Sequence, residues 1–498
     1  GWRLAAAPPS PRSTGQGRRL RRHTRGHCRS ARVARRGTRT TTNLGVLHMA
    51  QNRYSDQSWG VRLRLVDGWT ETLRASGSKM SVHTTAVLVL TTLLSGFAVS
   101  ATAQGVRTSS PENVGMSADR LLRIRPVMQG YVDAGRVAGV VTLIARHGEA
   151  VHFESVGMAH TEADAPMRPD TIFRIYSMTK PITSVAVMML YEQGQVLLSD
   201  SVSKYIPEFT DLRVYDANDP NGVAPERPMT VRDLLTHTSG LIMGWGGSPV
   251  AKAYQEADLK SGSLADMVPK LAKILLAHHP GTVWDYSIST DVLAHLVERI
   301  SAVPFDEYLA REIFEPLGMG DTAFHVPVEK QDRFAASYGW DRDTRAIKVI
   351  DDPRTGAFAL KPAFLSGAGG LVSTANDYYR FTQMLLNGGE LDGVRLLGRK
   401  TVEYMTRDHL PRGAVVRLGP RLDPSVGWGL GFLVVRNAAE RGVIGSDGSY
   451  SWGGLAGTAF WVDPQENLIG LLFIQRVPGD VLSIGDEFRA LTYQALVD

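Results

Sequence analysis

Eight consecutive residues, Phe173–Lys180, read Phe-Arg-Ile-Tyr-Ser-Met-Thr-Lys and carry the most information in this chain of 498 residues. An apolar helical pattern follows at Ile182–Glu192, so Ser177 and Lys180 stand three residues apart where a helix is predicted to begin. That spacing puts the serine hydroxyl and the lysine amine on one face. A serine hydroxyl becomes an effective nucleophile when a neighbour accepts its proton, and an uncharged lysine can do so. The pattern alone is equally typical of an exposed helix N-cap.

Four further motifs follow in a fixed order and distinguish these alternatives. Together with Ser177-Met178-Thr179-Lys180, they resemble the serine beta-lactamase-like superfamily, which includes class C beta-lactamases, DD-peptidases and family VIII carboxylesterases. The resemblance covers nearly all of residues 104–498. The four motifs are Thr-His-Thr-Ser-Gly at 236–240, Pro-Gly-Thr-Val-Trp-Asp-Tyr-Ser at 280–287, Gly-Ala-Gly-Gly-Leu-Val-Ser-Thr at 367–374 and Ser-Trp-Gly-Gly at 451–454.

The hydrophobic pattern and the resemblance predict the same fold, an α+β domain of the beta-lactamase/transpeptidase type. Apolar runs typical of strands lie near both ends of 104–498, and helical patterns lie between them. We therefore expect one antiparallel sheet built from both ends and flanked by helices, with an inserted, mostly helical lobe at about 200–365. The predicted strands are Val137–Arg146, Ala150–Gly157, Trp428–Val435, Gly457–Val462 and Leu468–Gln475; the predicted helices include Leu264–Leu276, Asp291–Ile300, Asn376–Leu386, Lys400–Thr406 and Ser483–Leu496.

The resemblance also assigns catalytic roles to individual residues. It implies that Ser177 is the acylated nucleophile, that Lys180 is its base and that Tyr286 carries the proton to and from the leaving group. A buried core aromatic is the structural alternative for Tyr286. The backbone N–H groups of Ser177 and Leu455 would form the oxyanion hole, where fixed donors stabilise the developing negative charge.

Two motifs depart from the lactamase pattern. The second motif, normally Tyr-x-Asn, ends here in Ile288, so the amide that holds a lactam side chain is missing. The third, normally Lys-Thr-Gly or His-x-Gly, is Trp452-Gly453-Gly454, as in the esterase branch. We predict that these three residues bind substrate, although paired glycines in a strand are also typical of a bulge. Without the cation, a substrate carboxylate would lose its partner, and leaving a charge unpaired in a partly dry site is costly.

The sequence therefore favours a serine hydrolase with a small-molecule ester or amide substrate, and most of all a carboxylesterase that acts on small acyl esters. A beta-lactamase or DD-peptidase shares the same covalent step. An acyltransferase differs only in that an alcohol or amine replaces water in deacylation. A non-catalytic penicillin-recognising protein is the remaining alternative, against which the intact Ser177, Lys180 and Tyr286 argue.

Other hydrolase designs lack support in the sequence. There is no Gly-x-Ser-x-Gly nucleophile elbow for a Ser–His pair, and His237 lies in a turn rich in capping groups, so we expect a structural hydrogen-bonding role for it. The histidines show no His-Glu-x-x-His or comparable spacing, so we predict no metal and no cofactor. The sequence does not indicate an oligomeric state.

Charge is divided unevenly along the chain. Residues 1–79 carry 17 basic and 3 acidic side chains, whereas the remainder carries 38 basic and 47 acidic side chains. The arginine-rich start has too few apolar residues to fold, and it is either a nucleic-acid-binding arm or sequence absent from the functional protein. We favour the second interpretation, so the net charge of +5 does not indicate a nucleic-acid partner.

An export signal is the reason for that preference. From Met80, a 14-residue apolar run at 86–99 precedes Ala101-Thr102-Ala103, a small-x-small cleavage site. The run is too short to span a bilayer, which takes about 20 residues. We predict a signal peptide at 80–103 and a periplasmic or secreted protein without a membrane span after cleavage; Met49 is the alternative translation start. The sole cysteine, Cys28, lies upstream of this signal.

Overall fold

A computed structural model describes residues 106, 109–418, 421–479 and 481–498. These residues belong to one compact unit, 95–498. The segments 1–79 and 80–103, together with the export predicted from them, lie outside the described residues and stay predictions. Within the described ranges, no helix has the length and apolar character needed to cross a membrane.

The main sheet has eight antiparallel strands and joins the two ends of the domain. The strands are β1 (Gly139–Arg146), β2 (Glu149–His160), β3 (Ala165–Pro166), β4 (Val426–Trp428), β5 (Leu433–Val435), β6 (Tyr450–Gly453), β7 (Ala459–Asp463) and β8 (Leu468–Phe473). Their spatial order is β4-β5-β6-β7-β8-β1-β2-β3. The strand β1 lies beside β8, with Val141 opposite Phe473. This arrangement confirms the predicted α+β class.

Two tight hairpins show how local sequence shapes this sheet. His147 and Gly148 join β1 to β2 with φ angles of 53° and 82°, the left-handed geometry that matches strand twist in a two-residue turn. The prediction of one strand at Trp428–Val435 is wrong, because a hairpin divides it into β4 and β5. Gly431 in this hairpin has φ of 96°, and a Cβ there would lie 2.2 Å from the Ser184 hydroxyl oxygen. Gly429 and Gly431 stand in an otherwise apolar run, which is also typical of one continuous strand.

Both faces of the sheet are covered by helices. Along β1, side chains alternate between two hydrophobic clusters: Leu143 packs in one and Ile144 in the other. The first cluster includes the helices α1 (Thr179–Glu192), α2 (Ser289–Ser301) and α3 (Ala375–Leu386), and the second includes α4 (Ile484–Tyr493). Helix α1 is buried from Thr179 to Leu190, which explains its apolar character on every side.

The region predicted as a helical lobe, 200–365, contains short helices and two small hairpins. Most of its buried apolar side chains belong to the same hydrophobic cluster as α1, whereas Trp284, Val326 and Phe334 lie in smaller clusters. Its strands are Val214–Asp216 with Asp219–Val223, and Ser337–Asp341 with Ala346–Asp351. Besides α2, its α-helices are Val231–Leu235, Pro249–Glu256, Leu264–Leu271, Phe305–Leu309 and Glu315–Leu317, with a π-turn at Ala310–Phe314.

The remaining elements connect these layers. Further α-helices are Ala118–Leu121, Ile124–Asp133, Arg399–Met405 and Ala438–Arg441; 3-10 turns are Pro111–Val114, Tyr176–Met178, Val202–Lys204, Pro207–Phe209 and Val328–Arg333. Short strands are Phe173–Arg174 with Val372–Ser373, Glu390–Leu391 with Val394–Arg395, Val416–Leu418 with Arg421–Asp423, and Arg476–Val477 beside Ser337–Asp341.

Candidate active site

Ser177 lies in the 3-10 turn that leads directly into α1. Tyr176, just before it, has φ of 42°, a left-handed conformation that is uncommon outside glycine. The preceding residue pair, Phe173–Arg174, forms a short ladder with Val372–Ser373. The turn therefore holds Ser177 between the main sheet and the Gly-rich segment 367–374 that precedes α3.

Lys180 is one helical turn from Ser177 and points at it. Its Nζ atom donates hydrogen bonds to Ser177 Oγ at 3.1 Å and to the Ala368 carbonyl oxygen at 2.7 Å. The side chain is 1 % exposed. In its uncharged form, an amine held in this way can accept the serine proton, because the hydroxyl lies within proton-transfer distance.

Tyr286 completes the candidate catalytic group, which consists of Ser177, Lys180, Tyr286 and Trp452. The Lys180 Nζ atom lies 4.6 Å from the centre of the Tyr286 ring, and Trp452 donates a hydrogen bond from Nε1 to the Tyr286 hydroxyl oxygen at 3.1 Å. The rings of Trp428 and Trp452 pack edge to face beside it, 4.6 Å apart. The structure thus brings Ser177, Lys180, Tyr286 and Trp452 together from three separate parts of the sequence. Trp452 is the donor of the hydrogen bond to the phenol oxygen.

His237 lies beneath the phenol and is buried. Its ring centre is 4.9 Å from that of Tyr286, and Nδ1 is 2.8 Å from the Ser287 hydroxyl oxygen. Burial, assisted by the positive charge of Lys180, holds the pKa of His237 well below its ordinary value. An uncharged, hydrogen-bonded histidine in this position supports the Tyr286 ring.

The predicted oxyanion donors lie at two adjacent chain segments. Among the described residues, neither the Ser177 nor the Leu455 amide has a hydrogen-bond acceptor within the fold, whereas the Gly454 amide donates to the Thr458 carbonyl oxygen at 2.7 Å. A Cβ on Gly454 would lie 2.5 Å from the Ile175 carbonyl oxygen. Glycine at this position therefore permits close packing of the strand end against the turn that carries Ser177. The oxyanion and substrate-binding roles stay predictions.

Asp291 is a site residue that sequence reasoning did not identify. It lies on α2 and is 1 % exposed. Its Oδ1 atom accepts hydrogen bonds from the Ser366 hydroxyl at 2.6 Å and from the Ala368 amide at 2.9 Å. Because the Ala368 carbonyl oxygen accepts from Lys180, this carboxylate positions the loop that aims the lysine. In the sequence, only its position five residues after Tyr286 connects Asp291 with the candidate site.

We expect Asp291→Ala to lower kcat about 10- to 100-fold with little change in KM, since a small misplacement of a catalytic group has this effect. Asp291→Asn should retain most activity, because its amide oxygen can accept the same two hydrogen bonds. Steady-state kinetics on p-nitrophenyl acetate would measure both variants.

Asp463 provides the matched control. It is fully buried at the end of β7 and accepts hydrogen bonds from the Ser446 amide and the Tyr493 hydroxyl, away from the catalytic group. Asp463→Ala should lower the melting temperature but leave kcat unchanged in the folded enzyme. Equal kcat values for Asp291→Ala and the unmodified enzyme would contradict the positioning role.

Metal ligation has no candidate here. No group of three or more histidine, cysteine, aspartate or glutamate side chains in the described ranges is arranged to hold a metal ion. The catalytic group itself consists of a hydroxyl, an amine, a phenol and an indole. These groups can carry out acyl transfer by nucleophilic and proton-transfer chemistry.

The fold and this Ser-x-x-Lys constellation define a serine hydrolase. A family model described as Beta-lactamase matches residues 124–494, and the chain belongs to that family. Esterase EstB from Burkholderia gladioli is 32% identical over 371 residues, covering 70% of this chain and 89% of EstB. A putative D-alanyl-D-alanine carboxypeptidase from Salmonella typhi is 28% identical, covering 77% and 88%.

A solved structure resembles the chain over a similar extent. EstCE1, described as a hydrolase with promiscuous acyltransferase activity, superposes with a TM-score of 0.65 at 27% sequence identity. The match covers 75% of this chain and 99% of EstCE1. The predicted superfamily and the prediction of a serine hydrolase are thereby confirmed.

Proposed function

We propose that this serine hydrolase is a carboxylesterase that acts on small, uncharged esters. The observation that carries the proposal is the hydrogen bond from Trp452 Nε1 to the Tyr286 hydroxyl, 3.1 Å long. It places a neutral donor where the resembling lactamases and peptidases have a lysine or histidine. An ester needs no cation for a carboxylate, so this site loses little by the exchange.

Acylation follows from the contacts of Ser177. Its hydroxyl oxygen forms a bond to the acyl carbon while its proton passes to Lys180 Nζ, 3.1 Å away. The negative charge on the carbonyl oxygen is stabilised by the free amides of Ser177 and Leu455. The carbon–oxygen bond to the alcohol then breaks, and the alcohol leaves with a proton delivered through Tyr286.

Deacylation reverses the proton path. Water adds to the acyl-enzyme carbonyl and gives its proton to the Tyr286 and Lys180 pair. The bond between Ser177 and the acyl carbon then breaks, which releases the carboxylic acid and returns the proton to Ser177. An alcohol could replace water in this step, and the similarity to EstCE1, a hydrolase with acyltransferase activity, supports alcohol transfer as a second activity.

A substrate panel tests the proposal. We expect clear turnover of p-nitrophenyl acetate and butyrate, and kcat/KM for nitrocefin lower by roughly 10- to 100-fold, the effect of losing one charged hydrogen bond. Adding 1-butanol should produce butyl esters if alcohol competes with water. Colorimetry and gas chromatography measure these products.

The outcomes separate the alternatives. Faster hydrolysis of nitrocefin than of the esters would favour a beta-lactamase. Release of D-alanine from a D-alanyl-D-alanine peptide without ester turnover would favour a peptidase. Absence of turnover on every substrate, with nitrocefin still acylating Ser177, would support the non-catalytic alternative. Any of these results would overturn the carboxylesterase proposal.

A further inference from the structure

A cavity of about 270 Å³ opens beside Tyr286, on the helical side of the domain. Its apolar wall includes Ile242, Val250 and Ala277, and Tyr286 forms part of its boundary. The catalytic phenol is thus shared between the reacting group and this cavity. A ligand that enters the cavity lies next to a residue of the catalytic group.

Three polar side chains that line the cavity, His278, Asp285 and Ser248, are already engaged. His278 Nε2 lies 3.1 Å from Asp285 Oδ2, so these two side chains form a pair. Ser248 caps the helix Pro249–Glu256, its hydroxyl accepting a hydrogen bond from the Ala251 amide. Because His278 and Asp285 contact each other, neither side chain stands alone to attract an ionic ligand. The cavity therefore favours an apolar, uncharged group.

Trp245 forms the outer wall and is unusually placed. Its side chain is 69% exposed, yet its ring stacks on Tyr286 with centroids 6.1 Å apart and an interplanar angle of 29°. A large aromatic ring held in water forgoes the free energy that its burial would give. Covering this ring with a ligand would recover part of that free energy.

The loop that carries Trp245 is constructed to hold it there. The flanking Gly244 and Gly246 have φ angles of 78° and 91°, which other residues rarely adopt. Gln255 donates hydrogen bonds from Nε2 to both of their carbonyl oxygens, at 2.8 and 3.1 Å. A Cβ on Gly244 would lie 2.7 Å from Tyr254 Cβ. One side chain therefore fixes the backbone on both sides of the tryptophan.

The proton path indicates which part of an ester lies in the cavity. Tyr286 delivers the proton to the departing alcohol oxygen, so that oxygen must come within hydrogen-bonding distance of the phenol. The rest of the alcohol extends from this oxygen, on the side of Tyr286. The cavity bordered by Tyr286 and Trp245 adjoins the phenol that donates this proton.

We propose that this cavity binds the alcohol part of the ester, that it takes an apolar, uncharged primary alcohol, and that Trp245 determines this specificity. The proposal rests on the proposed carboxylesterase function. An apolar cavity of about 150 Å³ accommodates benzene, so a volume of about 270 Å³ fits an alcohol of roughly ten carbons. Gln255 acts as a positioning residue by holding the Trp245 loop.

Three esters test the assignment. Ethyl acetate is the reference, 4-phenylbutyl acetate enlarges the alcohol, and ethyl 4-phenylbutanoate enlarges the acyl group; both alcohols are primary, so their leaving ability is similar. We expect Trp245→Ala to lower kcat/KM for 4-phenylbutyl acetate about 10- to 100-fold, the range for one lost apolar contact surface. Hydrolysis of the two ethyl esters, followed by pH-stat, should change less than about 3-fold.

Two further variants sharpen the result. Gln255→Ala should also lower kcat/KM for 4-phenylbutyl acetate, but by a smaller factor than Trp245→Ala. This variant releases the loop but keeps the Trp245 ring. Tyr404→Ala, which removes another partly exposed aromatic side chain, on the helix Arg399–Met405, should leave all three rates unchanged.

The possible failures are distinct. If ethyl acetate is hydrolysed but Trp245→Ala leaves the 4-phenylbutyl acetate rate unchanged, the alcohol site is wrong and the esterase proposal stands. If Trp245→Ala selectively lowers the hydrolysis of ethyl 4-phenylbutanoate, the alcohol-site proposal is also overturned, because the cavity would then hold the acyl group. If no ester is hydrolysed by the unmodified enzyme, the proposed function itself fails.

Discussion

Ser177→Ala is expected to lower kcat/KM for p-nitrophenyl acetate by about 10⁴- to 10⁶-fold, the loss seen when a catalytic nucleophile is removed. The physical reason is that no covalent acyl-enzyme can form without the hydroxyl oxygen that Lys180 contacts at 3.1 Å. Binding and the amide donors remain, so KM should change much less than kcat. Initial rates and mass spectrometry of the acylated protein measure both effects.

Ser184 supplies the control for this substitution. It lies on α1 as well and is buried, 1 % exposed, but it packs against the β4–β5 hairpin rather than the catalytic group. Ser184→Ala should therefore retain the rate within a few-fold. Substantial ester turnover or an acyl adduct in Ser177→Ala would refute the assignment of the nucleophile.

Lys180→Ala is expected to reduce kcat by about 10²- to 10⁴-fold, the range for a positioned general base. The amine is the only described side chain that hydrogen-bonds to Ser177 Oγ, so its removal leaves the hydroxyl without a proton acceptor. KM should change far less than kcat, because the lysine acts in the transition state. Stopped-flow measurement of the acylation phase should show the same loss.

Lys180→Arg separates the base from a mere positive charge. A guanidinium remains charged and donates hydrogen bonds, but it does not give up a proton and so cannot accept one from the serine. We expect the arginine variant to be as inactive as the alanine variant. Recovery of more than about a tenth of the original rate would show that charge, not proton transfer, is the contribution of Lys180.

Local sequence predicted the strands and helices that form through short-range patterns. The apolar run of β1 and the apolar helix after Lys180 agree with the structure to within a few residues. The hairpin between β4 and β5 was missed, because Gly429 and Gly431 stand in an otherwise apolar run. Their turn depends on the close approach of α1, where Ser184 leaves no room for a side chain at Gly431.

The candidate site likewise combines contacts that the sequence predicts with contacts that depend on packing. Ser177 and Lys180 lie one helical turn apart, so their contact follows from helix geometry alone. The Ala368 carbonyl oxygen that holds the amine, and Asp291 that holds Ala368, are 188 and 77 residues away from their partners. No periodicity connects such residues, and their contact depends on how α1 and α2 pack against the loop before α3.

The sequence by itself determined the family and predicted the nucleophile and its base, because these follow from ordered motifs and from the spacing within one helical turn. Only the tertiary structure decided what surrounds them: the indole of Trp452 on the Tyr286 hydroxyl, the Asp291 clamp and the cavity walled by Trp245. The physical reason is the separation along the sequence over which each kind of contact is determined. Helix geometry fixes neighbours three or four residues apart, whereas the shape and polarity of the pocket arise from packing between distant segments.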